Sequence, residues 1–434
     1  MKKIFVMFSI VLMAVSCSDN DSVSSKGEPT AKIVTVSDLH YFNPDYVDVS
    51  NPDYQTYLMM DRKLITESDA LLNAFKSEMI SRTDIEYIFI PGDITKDGEK
   101  TSHQKVATIL RDIEASGKKI YVVPGNHDIN NGMAMSFSGS TIPVDAVTPD
   151  EFSEIYSEFG YSEALYRDTN SLSYMVKLKD NLWLLGLDDC KYNSNQFGEH
   201  PHTDGKLSDA TMGWIREKLE EAKSKNITVL GMIHHGIVPH FEYQPIMFPE
   251  YLTDDFATVS SELADNGLNV IFTGHYHAND IAKTTSINNN EIYDIETGSL
   301  VTYPCPYRIV ELKKDRTLQV STKHIENINF DLGNFGSFQD YALNYINTGL
   351  QVLVPYMLMQ YGATQNQAEF LTPYMVKAFI AHYEGDETAD QEDLLLCQQL
   401  IQSSNANEQM FGAALFSIWN DPAPADNNIL IDLN

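Results

Sequence analysis

Short apolar runs recur along the chain, and five of them stop at residues of the kinds that bind metals. Each run is rich in β-branched residues and apolar on both faces, which predicts a buried central strand. Most of them end through a glycine or a proline–glycine turn. The runs are "AKIVTVSDLH", "IEYIFIPGD", "KKIYVVPGNHD", "ITVLGMIHH" and "NVIFTGHYH".

Helical patterns separate the first three runs. Apolar residues recur at helical spacing in both connecting segments, at Leu64, Leu71, Phe75 and Met79 and then at Val106, Ile109, Leu110 and Ile113. The order is therefore βαβαβ, which predicts an α/β fold. Functional groups gather at the carboxyl ends of the strands in such sheets. We therefore expect the five polar endings to converge on one crevice.

The pattern changes near the C-terminus. From about residue 333, helix-forming residues occur in longer periodic blocks such as "SFQDYALNYINTGLQVLVPYMLMQYG". The change predicts a catalytic α/β domain over 31–328 and a C-terminal helical domain over 333–434, a size that can hold its own core.

The N-terminus has the pattern of an export signal. Two lysines precede the apolar stretch from Ile4 to Val15, and Ser16 and Cys17 follow it. The ending resembles a bacterial lipoprotein processing site, which implies a signal peptide over 1–17 with a lipid on Cys17, and a flexible tether over 18–30. The implied location is the periplasmic or cell-surface side of a bacterial membrane. An ordinary cleaved signal with an incidental cysteine is the alternative.

Composition narrows the choice of partners. The 434 residues are 43% apolar, which is enough for a large globular domain and a smaller one. The formal net charge of -31 disfavours long nucleic acid as a partner, because a polyanion is repelled. Cys190, Cys305 and Cys397 show no close pairing, so no disulfide framework is implied, although one bridge stays open.

The residues at the strand ends form a set with a common chemistry. They combine carboxylates, imidazoles and an amide without thiolates, which favours Mn, Fe or Zn. Seven such ligands are too many for one open site and suit two divalent ions with a bridging carboxylate. A phosphoester hydrolase follows from that chemistry, and an amidohydrolase stays open. The ten polar residues at the strand ends, from which the seven ligands would come, are Asp38, His40, Asp93, Asn126 to Asp128, His234, His235, His275 and His277.

The ordered motifs "DLH", "GD", "GNHD", "HH" and "GHYH" resemble those of the calcineurin-like metallophosphoesterases, over about residues 31 to 325. The resemblance implies a sandwich of two β-sheets flanked by helices around two metal ions. It assigns to the first ion Asp38, His40, Asp93 and His277. It assigns to the second ion Asp93, Asn126, His275 and one of His234 and His235. We favour His234, although adjacent side chains leave the choice open.

The same resemblance implies a mechanism. A hydroxide that bridges the two ions attacks phosphorus, and Asp93 is the bridging carboxylate. His127 stays off the metals and donates a proton to the leaving oxygen, while Asp128 orients the imidazole. Weaker candidates for supporting roles are Asp280, Thr297 to Ser299, and His103, for which a capping or surface position is the alternative. Asp188 and Asp189 could lie near the crevice, but we favour a structural role for them.

Two further segments bear on the substrate. The loop "GIVPHFEYQPIMFPEY" offers His240, Phe241 and Tyr243 as substrate contacts, with packing of the loop as the alternative. "AHYEGDE" resembles part of the C-terminal domain of bacterial class III cyclic nucleotide phosphodiesterases. The resemblance implies a small phosphodiester or nucleotide as substrate, with 3',5'-cyclic nucleotides first. The alternatives are a phosphomonoesterase on the same fold and a non-catalytic surface-binding lipoprotein.

Overall fold

The structure, a computed structural model, describes residues 30–420 and 422–433. The predicted signal peptide with Cys17, and all of the predicted tether except its last residue, lie outside these ranges. Export and lipid anchoring therefore stay predictions. Within the described ranges, no helix combines the length and the apolar character needed to cross a bilayer.

The residues that the structure describes form fifteen strands, in two large sheets and one small ribbon. The strands are β1 (Ala31–Thr35), β2 (Tyr87–Pro91), β3 (Lys119–Val123), β4 (Met135–Ser136), β5 (Ile142–Pro143), β6 (Tyr166–Arg167), β7 (Tyr174–Lys179), β8 (Leu182–Gly186), β9 (Thr228–Met232), β10 (Val270–Thr273), β11 (Asp280–Thr285), β12 (Glu291–Glu296), β13 (Pro306–Leu312), β14 (Thr317–His324) and β15 (Asn428–Asp432).

Within residues 30–420 and 422–433, eleven α-helices and a few shorter helical turns connect the strands or follow them. The helices are α1 (Pro52–Met59), α2 (Ser68–Ser81), α3 (Lys100–Glu114), α4 (Pro149–Ile155), α5 (Asp209–Ser224), α6 (Gln244–Met247), α7 (Phe256–Asp265), α8 (Phe338–Gln360), α9 (Gln365–Glu384), α10 (Gln391–Ile401) and α11 (Ala406–Trp419). The shorter turns are Pro44–Tyr46, Ser157–Tyr161, Tyr192–Ser194 and Pro249–Tyr251.

The two large sheets pack face to face. The first has the order β15-β14-β13-β1-β2-β3, and the second has the order β11-β12-β10-β9-β8-β7-β6. Strands β1, β2 and β3 are parallel neighbours, and so are β8, β9 and β10. The rings of Phe89 and Phe272 meet between the sheets at 5.7 Å. The predicted α/β sandwich of two sheets flanked by helices is confirmed.

The five strands predicted from the apolar runs are β1, β2, β3, β9 and β10. Alternation of side chains across β9 and β10 explains their apolar character on both faces. Leu230 and Phe272 face the core between the sheets, whereas Val229 and Ile271 pack with helices α5 and α7 on the outer side. Both faces of these strands are therefore buried.

The start of helix α2 differs from the sequence prediction, and the structure also shows the state of the cysteines. Helix α2 begins at Ser68, so Leu64 lies in the preceding loop, where its N–H donates to the Val301 carbonyl. This long-range backbone bond replaces the helical turn that the spacing of Leu64 indicates. All three cysteines in the described ranges are free thiols.

The C-terminal region is helical but does not end as a helix. Helices α8 to α11 pack around their own apolar cluster, which also takes in Phe241 and Tyr276 from the α/β region. Strand β15 then pairs antiparallel with β14 at the edge of the six-stranded sheet. Within the predicted range of 333–434, the last element therefore belongs to the α/β sandwich.

The pairing of β15 predicts unequal effects for two adjacent substitutions. Ile431 is 1% exposed and packs in the main core, whereas Leu430 is 60% exposed on the opposite face. We expect Ile431→Ala to lower the free energy of unfolding by about 2–5 kcal/mol, and Leu430→Ala to change it by less than about 0.5 kcal/mol. Urea unfolding of both variants measures the difference. Equal effects would contradict the register of β15.

Candidate metal centre

Seven ligand-type side chains converge where the carboxyl ends of strands from the two sheets meet. Strands β1, β2 and β3 supply four of them, and β9 and β10 supply three. All seven are buried, at 6% exposure or less. The set is Asp38, His40, Asp93, Asn126, His234, His275 and His277.

The backbone at this crevice has dihedral angles that are rare for residues other than glycine. Five of the seven residues have positive φ, between 36° and 80°, a region that non-glycine residues seldom occupy. Such strain persists only where the surrounding structure holds it and is concentrated at functional sites. The five residues are Asp38, His40, Asp93, His275 and His277.

The two carboxylate oxygens of Asp38 have different roles: one accepts hydrogen bonds that fix the side chain, and the other faces the crevice. Oδ2 accepts from the Ser37 hydroxyl at 2.5 Å and from the His275 backbone N–H at 3.0 Å. Oδ1 has no hydrogen-bond partner among the described residues and lies 3.3 Å from His277 Nε2 and 3.7 Å from His40 Nε2. The two Nε2 atoms lie 3.1 Å apart. A buried acceptor beside two imidazole nitrogens fits one divalent ion.

Asp93 lies between the two groups of histidines. Its Oδ2 is 3.6 Å from His40 Nε2, on the six-stranded sheet side, and 3.5 Å from His234 Nε2, on the seven-stranded sheet side. Its Oδ1 accepts from the backbone N–H of His127 at 2.9 Å. One carboxylate oxygen that faces both groups has the position of a bridging ligand.

The second group is completed by Asn126 and two oriented histidines. Asn126 Oδ1 lies 3.1 Å from His234 Nε2. His234 donates from Nδ1 to the Pro91 carbonyl at 2.8 Å, which leaves Nε2 for an ion. His275 donates from Nε2 to the Glu250 carbonyl at 3.3 Å, which leaves Nδ1. Donor atoms of Asp93, His234 and His275 lie within 4.8 Å of one another.

His235 turns away from this set. Its Nδ1 lies 2.9 Å from a carboxylate oxygen of Asp189, and its Nε2 lies 2.8 Å from the Thr203 carbonyl oxygen. Both ring nitrogens therefore face acceptors that lie outside the ligand set. Of the adjacent pair, the structure therefore brings His234 into the ligand set.

Two glycines allow the motifs to approach this closely. A Cβ at Gly125 would lie 2.2 Å from Asp93 Oδ1, and a Cβ at Gly274 would lie 2.4 Å from Asp38 Oδ2. The Asp93 backbone nitrogen is also 2.2 Å from the first Cβ, and the Ser37 hydroxyl is 2.0 Å from the second, so no side chain fits at either position. The glycines that end two of the apolar runs are therefore required by the ligand loop of another strand.

The donor set fits two divalent ions. Asp38, His40, Asp93 and His277 would hold one ion, and Asp93, Asn126, His234 and His275 would hold the other. Carboxylate, imidazole and amide donors suit borderline ions such as Mn, Fe or Zn.

His127 lies at the rim of the crevice and contacts a different carboxylate from the predicted one. Its side chain is 22% exposed, whereas the side chains of His40, Asp93 and His234 are at most 2% exposed. Its Nδ1 donates to Asp97 Oδ1 at 3.0 Å. Burial lowers the pKa of His127, but Asp93 and Asp97 outweigh it and raise the pKa above its usual value.

The prediction that Asp128 orients His127 is wrong. Asp128 accepts from the backbone N–H groups of Gly125, Ile94 and Thr95 at 2.9–3.1 Å, and from the Thr95 hydroxyl. Both oxygens point into the turn between the second and third motifs, because consecutive residues in a turn face different directions. Asp128 ties the Asp93 loop to the Asn126 loop. Burial, with the nearby Asp93 charge, raises its pKa to about 7.

Asp97 is the functional residue that sequence reasoning missed. It lies four residues after Asp93 in "GDITKDG" and forms a buried ion pair with Lys96. Burial opposes its ionisation, but Lys96 and His127 outweigh burial and lower its pKa. A second carboxylate inside a ligand motif is the signal that could have identified it.

The comparison with protein families decides which fold family these motifs represent. The model of the calcineurin-like phosphoesterases matches residues 31–279, more than half of the chain. The chain belongs to the calcineurin-like phosphoesterase family. It is therefore a metal-dependent phosphoester hydrolase. The family match ends at the last ligand motif, so the helices α8 to α11 lie outside it.

Solved structures with a similar fold are distant in sequence. A dimetal phosphatase from Danio rerio is 15% identical, with a TM-score of 0.48, and the match covers 69% of this chain and 98% of that chain. A purple acid phosphatase from yellow lupin is 11% identical, with a TM-score of 0.43, and the match covers 69% of this chain and 52% of that chain. The sequence matches none of the curated proteins with which it was compared.

The three predicted substrate contacts of this phosphoesterase lie in packed positions. His240 and Phe241 are 1% and 2% exposed, and Phe241 packs against Tyr276 and His382. Tyr243 is half-buried against the helical cluster. The loop packs on α9 because its aromatic side chains complete the core of the helices. The prediction of substrate contact is therefore wrong for His240 and Phe241, and the packing alternative describes all three.

Most of the weaker candidates support the site through other residues. His103 is buried, contacts Thr95 and Tyr156, and donates to the Asp128 carbonyl or to Thr95. Burial lowers its pKa to about 3. The Ser299 hydroxyl donates to the Asp38 carbonyl at 2.8 Å. Asp188 instead accepts from Leu172 and Tyr192 and has a structural role.

The orientation of the adjacent histidines predicts unequal metal loss. We expect His234→Gln to lose about one ion per chain, because it removes a direct donor, while His235→Gln still binds two ions at saturating metal. Elemental analysis of both variants after gel filtration measures the content. Loss of an ion from His235→Gln alone would reverse the assignment.

Proposed function

We propose that this phosphoesterase hydrolyses small phosphodiesters, and that 3',5'-cyclic nucleotides are its leading substrates. The observation that carries the proposal is a cavity of about 380 Å³ beside the metal centre. The ring of Tyr251, which lines this cavity, lies 4.6 Å from the ring of His275. A substrate with phosphorus at the metals can therefore place its organic group in this cavity.

Both regions of the chain build the cavity. The α/β region contributes Arg62 and a wall of Met247, Phe248, Tyr251 and Tyr276. The helical region contributes residues of α8 and α9, among them Leu350, Val354, Met357, Phe379 and Tyr383. Aromatic and thioether side chains of this kind suit the flat face of a base, with stacking worth about 1–3 kcal/mol.

The charge of the cavity supports a diester over a monoester. Its charged lining residues are Arg62 and Glu250, which offset each other. A phosphomonoester carries close to two negative charges at neutral pH, whereas a diester carries one. With the phosphate at the metal ions, a cavity wall without excess positive charge adds no compensation for the second charge of a monoester. Arg62 Nε has no hydrogen-bond partner among the described residues, so it can donate to an acceptor atom of the organic group.

The bound ions and His127 would have separate roles in hydrolysis. When bound, the two ions activate water at neutral pH and neutralise charge on the phosphate. His127 is held by Asp97 at Nδ1, which leaves Nε2 to donate a proton to the leaving oxygen at the open rim.

The substrate class is tested with three compounds and one variant. Purified protein supplied with Mn²⁺ is assayed on cyclic AMP, on a bis-aryl phosphodiester and on an aryl phosphomonoester. We expect turnover of both diesters, and we expect His127→Ala to keep two ions while kcat falls by about 10²- to 10⁴-fold.

The outcomes separate the alternatives. Turnover of the monoester alone would replace the diesterase with a phosphomonoesterase on the same fold. No turnover of any compound by protein that holds two ions would favour a binding protein. A loss of metal from His127→Ala would make His127 a ligand.

The position of Arg62 in the cavity wall leads to a further prediction. We expect Arg62→Gln to raise the KM for a turned-over diester by about 10- to 100-fold, because a charged hydrogen bond to the substrate is lost. The metal content should not change, since Arg62 is not one of the metal ligands. Arg82→Gln is the matched control, because Arg82 pairs with Asp84 at the surface. Equal KM values for wild type and Arg62→Gln would place the substrate elsewhere.

A further inference from the structure

A second group of ligand-type side chains lies where the helical region meets the seven-stranded sheet. We call it the interface cluster, and none of its members belongs to the metal centre. Every side chain in it is at most 2% exposed. The interface cluster consists of His240, Asp280, Glu296, His382 and Glu387.

The members come from separate elements and are brought together only by the fold. His240 lies in the loop after β9, and His382 lies in the last turn of α9. Glu387 follows α9. Asp280 begins β11 and Glu296 ends β12, where the two are direct partners across the antiparallel ladder. Two like charges placed opposite each other destabilise a sheet unless something compensates them.

The distances within the interface cluster are those of donors around a common ion. His240 Nδ1 lies 3.0 Å from Glu296 Oε2 and 4.0 Å from Asp280 Oδ1. His382 Nδ1 lies 3.9 Å from Asp280 Oδ2 and contacts Glu387 Oε1. Bonds of about 2.0–2.2 Å to one cation place its donor atoms roughly 3–4 Å apart.

Several of these buried atoms have no hydrogen bond. Neither ring nitrogen of His240 has a hydrogen-bond partner among residues 30–420 and 422–433, and the same holds for His382 Nε2 and Glu387 Oε2. The 3.0 Å contact between His240 and Glu296 is short, but its angles are not those of a hydrogen bond. Buried polar groups are nearly always satisfied, so this imidazole, aimed at carboxylates, indicates a missing partner.

The buried cation beside the interface cluster is Arg308. Its guanidinium donates to the backbone carbonyls of Glu296, Asp280 and Asp426 and to the Thr322 hydroxyl. None of these hydrogen bonds reaches the carboxylates of Glu296 and Glu387. Buried charges of this kind are normally paired or coordinate a metal.

We propose that the interface cluster binds one divalent cation of borderline hardness, with Zn²⁺ as its representative, and so holds α9 against the seven-stranded sheet. Two imidazoles with carboxylates and no thiolate suit such an ion. The donors close around it without access for a substrate, which is typical of a structural site. The ion would connect the helical region to Asp280, three residues after the metal ligand His277.

The number of bound ions tests this proposal in the full-length protein. Chains loaded with Zn²⁺ alone are passed through gel filtration, and zinc per chain is measured by mass spectrometry. We compare wild type with His382→Gln, and Asp93→Asn with the double variant Asp93→Asn/His382→Gln. In each pair the His382→Gln protein should hold about one ion fewer. The Asp93→Asn background should keep the interface ion although its metal centre is impaired.

A control and a second measurement keep the result interpretable. Glu384→Gln changes an exposed carboxylate on the same helix and should lose no ion. Addition of a chelator should lower the melting temperature of Asp93→Asn but not that of the double variant. If the content is equal within both pairs, or if Asp93→Asn holds no zinc, the proposal fails. The cluster would then be an ion-free arrangement in which protonated Glu296 contacts His240.

Discussion

A single buried carboxylate, Asp93, lies between histidines that come from two different β-sheets. Its Oδ2 faces His40 on one side and His234 on the other at nearly equal distances, 3.6 and 3.5 Å. Such a group is costly to bury unless cations share its charge. The position of Asp93 therefore requires both sheets to end at the same point, and it explains why strand ends with positive φ are kept there despite their strain.

A second layer of hydrogen bonds holds this arrangement in place. Asp128 ties the loop of Asp93 to the loop of Asn126, and Ser37 fixes one oxygen of Asp38. His127 is left at the rim, where Asp97 rather than its sequence neighbour sets its orientation. The supporting carboxylate and the proposed proton donor are therefore separate groups, although they are adjacent in the sequence.

The C-terminal region adds helices to the α/β sandwich, and it also contributes the last strand of that sandwich. Helices α8 and α9 line the cavity beside the metal centre, and β15 returns to the edge of the six-stranded sheet. The interface cluster lies at the same junction and includes His382 of α9. The wall of the cavity depends on the position of α9. An ion bound at the interface cluster would hold α9 in place and would therefore also define the space available to the substrate.

The sequence by itself determined the βαβαβ order of the first three predicted strands, the family motifs and the ligand types, because local periodicity and short spacings encode them. It also indicated the C-terminal helices. The tertiary structure decided which neighbour each side chain faces: His234 faces the ligands, His235 faces Asp189, and Asp97 faces His127. It also placed β15 in the sheet and gathered His240 with His382. These contacts join residues that are adjacent in a turn or far apart in the chain, and neither relation leaves a periodic pattern.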